Sequence, residues 1–205
     1  MTATGLARTF TALREFTRER PPLEWCDVCA APIAPVHDHL LDPGPRRLQC
    51  ACHACARLLG ETPSTRWTLV RHRVERLVDF RLSDDEWRTL GLPIDLAFFV
   101  RSGAVDGVVA RYPSPGGAVE SGVPRTAWNG LVAAHPCLAG LRPDVEAFLV
   151  NRTGSRRDHY LVSIDECYRL VGSMRRHWRG ISGGAEVQAQ IAQFFAELDG
   201  EGGAA

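Results

Sequence analysis

Two cysteine pairs constrain this chain more than any other feature. Cys26-Asp-Val-Cys29 and Cys52-His-Ala-Cys55 stand with 22 residues between them. Two residues inside each pair let both sulfurs face one ion while backbone N–H groups of the turn point at them. Two such pairs close a tetrahedron of four thiolates. The spacing follows the zinc-ribbon pattern, slightly long in the middle. Residues 23–60 are therefore expected to form a zinc-ribbon-like module, with Zn2+ held by Cys26, Cys29, Cys52 and Cys55. The stretch between the pairs contains Pro32, Pro35, Pro43, Gly44 and Pro45, which suits a hairpin or loop rather than a helix. Four thiolates leave a formal double negative charge on the centre, and Arg46, Arg47 and Arg57 are close enough in sequence to offset it. Cys50 is an alternative ligand that could replace Cys52, and His37 and His39 could enter a mixed shell.

The same cage of sulfur suits other centres. One is a mononuclear iron site of rubredoxin type; another is an iron–sulfur cluster, helped by the fifth cysteine. Rubredoxins carry glycine after each pair, where this chain has Ala30 and Ala56, so zinc is preferred. A metal-free thiol pair or a transient disulfide is the remaining alternative. His53 follows Cys52 rather than a complete C-x-x-C, which excludes c-type haem attachment. Cys137 and Cys167 lie in apolar surroundings and read as buried free thiols.

Hydrophobic residues make up 45% of 205, so a core can form without help from metal. The 24 basic residues, all arginine, balance 24 acidic ones, which removes the simplest argument for a nucleic-acid partner. No signal-peptide h-region and no membrane-spanning stretch is visible. The expected location is the cytoplasm, where stable disulfides are uncommon and clustered cysteines point to metal or redox work.

The periodicity predicts a helix over 4–19, ended by Pro21-Pro22, and a strand around Trp67–Arg71. Ser83 and Glu86 form a capping-box pattern for a helix over 84–90, with Gly91 as its stop. Strands are expected at 94–101, 104–112, 145–151 and 159–164, and the segment 112–117 is expected to be a loop. Helices follow from Pro124 to His135, over 165–178 behind a second capping box of Ser163 and Glu166, and over 185–198. The strands come in hairpins rather than βαβ units. The expected fold is therefore α+β, an antiparallel sheet with flanking helices over 61–199, and a frayed tail at 200–205.

Elsewhere the chemistry is thin. The glycine-rich segment 112–117 lacks nucleotide-binding spacing and reads as a sharp surface turn; at 180–184 Arg179 beside the next helix's entrance could hold an anion, but capping explains the glycines and the segment reads as a helix stop. Residues 152–179 carry seven arginines against three acids, a patch that the acidic last helix is placed to neutralise. His159, Asp165, Glu166 and Cys167 suggest a Cys–His pair, but Cys167 falls on the apolar helix face and no catalytic constellation emerges.

The segments WCDVCAAPIAPVHDHLLD, QCACHAC, DLAFFVRS, ARYPSPGGAVES, PDVEAFLVNR and IDECYRLVGSMRRHWRGISGG together resemble an uncharacterised actinobacterial domain-of-unknown-function family, over about residues 23–198. The resemblance implies genes often found beside NiFe uptake-hydrogenase clusters, and with them an accessory or maturation role with a hydrogenase subunit or assembly factor as partner. The expected function is a non-enzymatic, zinc-binding accessory protein. The competing classes are an iron electron carrier at the same cysteines and a zinc-dependent nucleic-acid-binding protein.

Overall fold

Hydrophobic residues alternate along the central strands with a period of two, and this alternation builds two cores on opposite faces of one sheet. The computed structural model describes residues 24–63, 66–103, 107–180 and 183–202. The helix expected over 4–19 lies outside these residues. Among the described residues every strand pairing is antiparallel, and no helix is long and apolar enough to cross a membrane.

The cysteine segment comes first. Strands β1 (Glu24–Trp25) and β2 (Pro32–Ile33) pair around the first cysteine turn. Strands β3 (Asp38–Asp42) and β4 (Arg47–Ala51) form the hairpin that the prolines suggest, and helix α1 (His53–Gly60) follows at once. Strand β5 (Thr68–Val70) then pairs with β3, completing a three-stranded sheet in the order β4-β3-β5. Gly60 lets α1 close onto β5: a Cβ there would stand 2.6 Å from that of Leu69. No helix was expected from the sequence at 53–60.

The larger sheet follows. Its strands are β6 (Val74–Arg76), β7 (Leu96–Arg101), β8 (Val108–Ser114), β9 (Gly117–Gly122), β10 (Glu146–Asn151) and β11 (Asp158–Ser163), in the order β6-β11-β10-β7-β8-β9. Between them lie α2 (Asp84–Thr89), α3 (Arg125–Ala134) and a 3-10 turn (Pro136–Gly140); α4 (Ile164–His177) and α5 (Gly184–Gly202) close the chain. On one face Phe98, Val100, Leu149, Tyr160 and Val162 pack against Cys167, Leu170 and Met174 of α4 and Ile191, Phe194 and Phe195 of α5. Leu41 and Val70, from the cysteine segment's own sheet, enter this same core. On the other face Phe99, Phe148, Val150 and Leu161 meet Trp87 of α2, Trp128 of α3 and Leu138.

Several local expectations change. Segment 112–117 is not a loop: β8 runs to Ser114, Pro115-Gly116 makes the turn, and β9 starts at Gly117, whose φ is +124°. Pro113 is tolerated because the β7–β8 ladder ends at Phe98 opposite Arg111, so the missing N–H breaks no pairing on that side. The first capping box forms as read, with the Glu86 N–H donating to Ser83 Oγ at 3.2 Å and the Ser83 N–H to Glu86 at 2.8 Å. The second does not. The Ser163 hydroxyl accepts from the Arg73 N–H at 3.4 Å, and Glu166 accepts from Arg169 at 2.8 Å. Cys137 is exposed rather than buried, because its 3-10 turn buries Leu138 instead. Helix α5 continues to Gly202, past Leu198.

His159 of β11 is the acid-sensitive point of this fold. It is 3% exposed, packs on Phe80 and Phe148 at ring distances of 4.8 and 6.1 Å, and its Nε2 has no hydrogen-bond partner among the described residues. Burial, then the charge of Arg152, pulls its pKa down from 6.5 to about 4. The unfolded chain therefore takes up a proton below pH 6.5 that the folded chain refuses until about pH 4. Stability contributed by neutral His159 is full above pH 6.5 and is lost as pH falls towards 4, by roughly 2–3 kcal/mol. Urea midpoints across that window should show this fall, and His159→Phe should flatten it. An unchanged slope in the variant would place the acid sensitivity elsewhere.

Candidate metal centre

The first cysteine pair is held by a tight turn. The Cys26 N–H donates to the Ala31 carbonyl at 2.8 Å, and the Ala30 N–H returns to the Cys26 carbonyl at 2.9 Å. Closing this turn puts Ala30 at φ +57°, a left-handed conformation that costs a non-glycine residue roughly 1–2 kcal/mol. Alanine thus adopts at residue 30 the geometry for which glycine is preferred. Asp27 fastens the turn to β4: its N–H donates to the Cys50 carbonyl and its carboxylate accepts from the Cys50 N–H, both at 2.8 Å.

The second pair is carried by a helix rather than by a hairpin turn. Cys52 is the N-cap of α1 and Cys55 lies in its first turn, where unpaired N–H groups and the helix dipole favour negative charge. The four sulfurs of Cys26, Cys29, Cys52 and Cys55 converge within 4.8 Å of one another. Cys29 Sγ and Cys52 Sγ are 3.7 Å apart. That is far beyond a disulfide bond of about 2.05 Å. It matches the edge of a tetrahedron with metal–sulfur bonds of about 2.3 Å, which is about 3.8 Å. Beneath them Cys26, Leu40, Ala51, Ala56 and Leu69 form a small separate core.

Without an ion the four thiols cannot all ionise. Burial opposes ionisation of Cys26, yet N–H groups of Cys52, Cys29 and Val28 converge on its sulfur and bring its pKa down to about 6. Burial and the neighbouring sulfurs push Cys55 up to about 12. A cation at the centre removes this conflict, and its binding must release protons. Backbone N–H groups therefore supply the charge compensation expected of arginines. Arg46 instead reaches Ser102 and Asp144 at 3.0 and 2.9 Å, and Arg57 pairs with Glu61 at 2.9 Å.

Cys50 is not in the four-sulfur group. It stands with His37 and His39. Burial, then Asp27 and Glu24, raises its pKa. Sequence reasoning missed Asp27, whose role depends on the approach of the first turn to β4.

The other sequence-derived sites dissolve into structure. Cys167 is fully buried on the α4 side of the sheet, and burial pushes its thiol far up, whereas His159 packs with Phe80 and Phe148 on the opposite face. Four of the seven arginines of the patch are ion-paired: Arg152 and Arg157 with Asp84, Arg156 with Asp158, and Arg169 with Glu166 and with Glu197 of α5. In the second glycine segment Gly183 lies against Val187, 3.2 Å from where its Cβ would be, so packing accounts for it.

No curated protein and no solved structure matches the chain. A family model described as a family of unknown function, DUF5947, matches residues 25–202, from the residue before Cys26 through α5, and the chain belongs to that family.

Proposed function

We propose that this chain is a non-enzymatic accessory protein in which a structural zinc ion, held by Cys26, Cys29, Cys52 and Cys55, rigidifies a surface that docks a protein partner in the cytoplasm. The convergence of the four sulfurs within 4.8 Å, with Cys29 and Cys52 at the spacing of a tetrahedral edge, carries the reading. All four ligand positions are filled by protein, which is the arrangement of structural rather than catalytic zinc. Exposed apolar side chains on the same segment support docking: Trp25 is 54% exposed and Val36 92%, with Val28 and Leu58 also at the surface. Following what the sequence resemblance implies, the proposed partner is a subunit or assembly factor of a NiFe hydrogenase.

Elemental analysis and a visible spectrum of the anaerobically purified chain test the metal. Zinc of at least about one per chain, without colour, is the expected result. Iron with charge-transfer bands would overturn zinc and make the protein an electron carrier. Deleting the gene in a host with a NiFe hydrogenase should lower that activity; unchanged activity would overturn the hydrogenase assignment.

A further inference from the structure

Cys50 falls outside the four-sulfur centre and belongs to a second set of ligand atoms. Its sulfur and ring nitrogens of His37 and His39 all lie within 4.8 Å of one another. The β3–β4 register pairs His39 directly with Cys50, which puts both side chains on the same face of the hairpin. The His37 and His39 rings are 4.7 Å apart, centroid to centroid.

The hydrogen bonds orient both rings. His37 Nδ1 lies 2.9 Å from the Ala34 carbonyl and 3.3 Å from Glu24 Oε2, both of which only accept, so Nδ1 carries a proton. In the neutral ring, the form that ligates a metal, His37 Nε2 is then a bare lone pair. It is buried and has no hydrogen-bond partner among the described residues, in a side chain only 8% exposed. An unpaired buried nitrogen of this kind is destabilising unless something fills its lone pair. His39 Nδ1 is bound to Asp165 Oδ2 at 3.0 Å. A carbonyl on one imidazole and a carboxylate on the other is how outer groups fix metal-ligating histidines, leaving each Nε2 for the ion.

We propose that His37, His39 and Cys50 form a second metal site, separate from the four-cysteine centre, for a divalent transition-metal ion of the zinc class. Two imidazoles and one thiolate suit that class of ion. Three protein ligands leave one tetrahedral position open, as in sites where zinc holds water or another small ligand. His37 and His39 line a cavity of about 870 Å³, and His72, Glu166 and Arg169 line it too, so an incoming ligand has both space and polar partners. The two centres share the β4–α1 junction, with Cys50 feeding one and Cys52 the other.

The test is zinc content of the full chain after loading and gel filtration, with circular dichroism to confirm folding. The wild type should retain about two zinc ions, and Cys50→Ser and His37→Ala about one each. Cobalt(II) bound to either variant should keep the spectrum of a four-thiolate site. Asp165→Asn, which leaves every ligand in place, should weaken only the second site, by about 10–100-fold in a competition titration. One zinc in the wild type and one in Cys50→Ser would overturn the second site and leave the four-cysteine centre standing. One in the wild type and none in Cys50→Ser would overturn it differently, by placing Cys50 in a single shared shell.

Discussion

Replacing Cys26 or Cys55 with alanine empties the four-sulfur centre, while Cys167→Ala leaves metal content unchanged. Structural zinc contributes about 10–16 kcal/mol of apparent binding free energy to a small module at neutral pH. The core under the centre has only five buried residues, two of them alanine and one a ligand, so beyond the anchoring of Leu41 and Val70 in the larger core the metal is a large share of what holds the segment together. Loss of either ligand should therefore unfold the surroundings of residues 24–60 as well as release the ion. Near-ultraviolet dichroism of Trp25 and Trp67 would report the unfolding, and elemental analysis the metal. Cys167 is fully buried on α4, in the core against the larger sheet. Its truncation leaves a void the size of one sulfur and touches no ligand. Metal loss in all three variants would mean that the shell is drawn wrongly.

Phe148→Ala is the second large effect, an expected loss of about 3–5 kcal/mol in urea unfolding. Phe148 is fully buried on β10 and lies opposite Phe99 in the ladder. Its ring sits 4.9 Å from Phe80 and 5.8 Å from Phe99. Phe99 is fixed by a central strand with partners on both sides, and Phe80 is wedged against the rings of His135 and His159, so neither closes over the void. The loss is comparable to a large share of a domain's stability of about 5–15 kcal/mol. A measured loss below about 1 kcal/mol would show that this face repacks freely.

The parts legible in the sequence were those whose determinants are local. Ser83 and Glu86 lie three apart and meet in the capping box, and the strands around Phe98 and Leu149 announce themselves by apolar runs. The cysteine quartet was legible because ligand chemistry prescribes its spacing. Strand β6 was not: it is three residues long with two exposed, too short for a period. Strand β9 begins and ends in glycine at the sheet edge, with little apolar pattern. Helix α1 was hidden because its N-cap is cysteine rather than a customary capping residue. The grouping of Cys50 with His37 and His39 needs the register of β3 against β4 and the placing of Asp165, 126 residues from His39. No window along the chain contains that information.

Leu41 and Val70 have a consequence beyond packing. They plug the small sheet into the core beneath α4 and α5, while Trp87, Trp128 and Leu138 fill the opposite face without it. One side of the central sheet thus shares its cooperative unit with the cysteine segment, and the other does not. A cell short of metal would loosen this protein asymmetrically: the α4–α5 side would breathe and be the first reached by proteases, while the tryptophan side stayed closed.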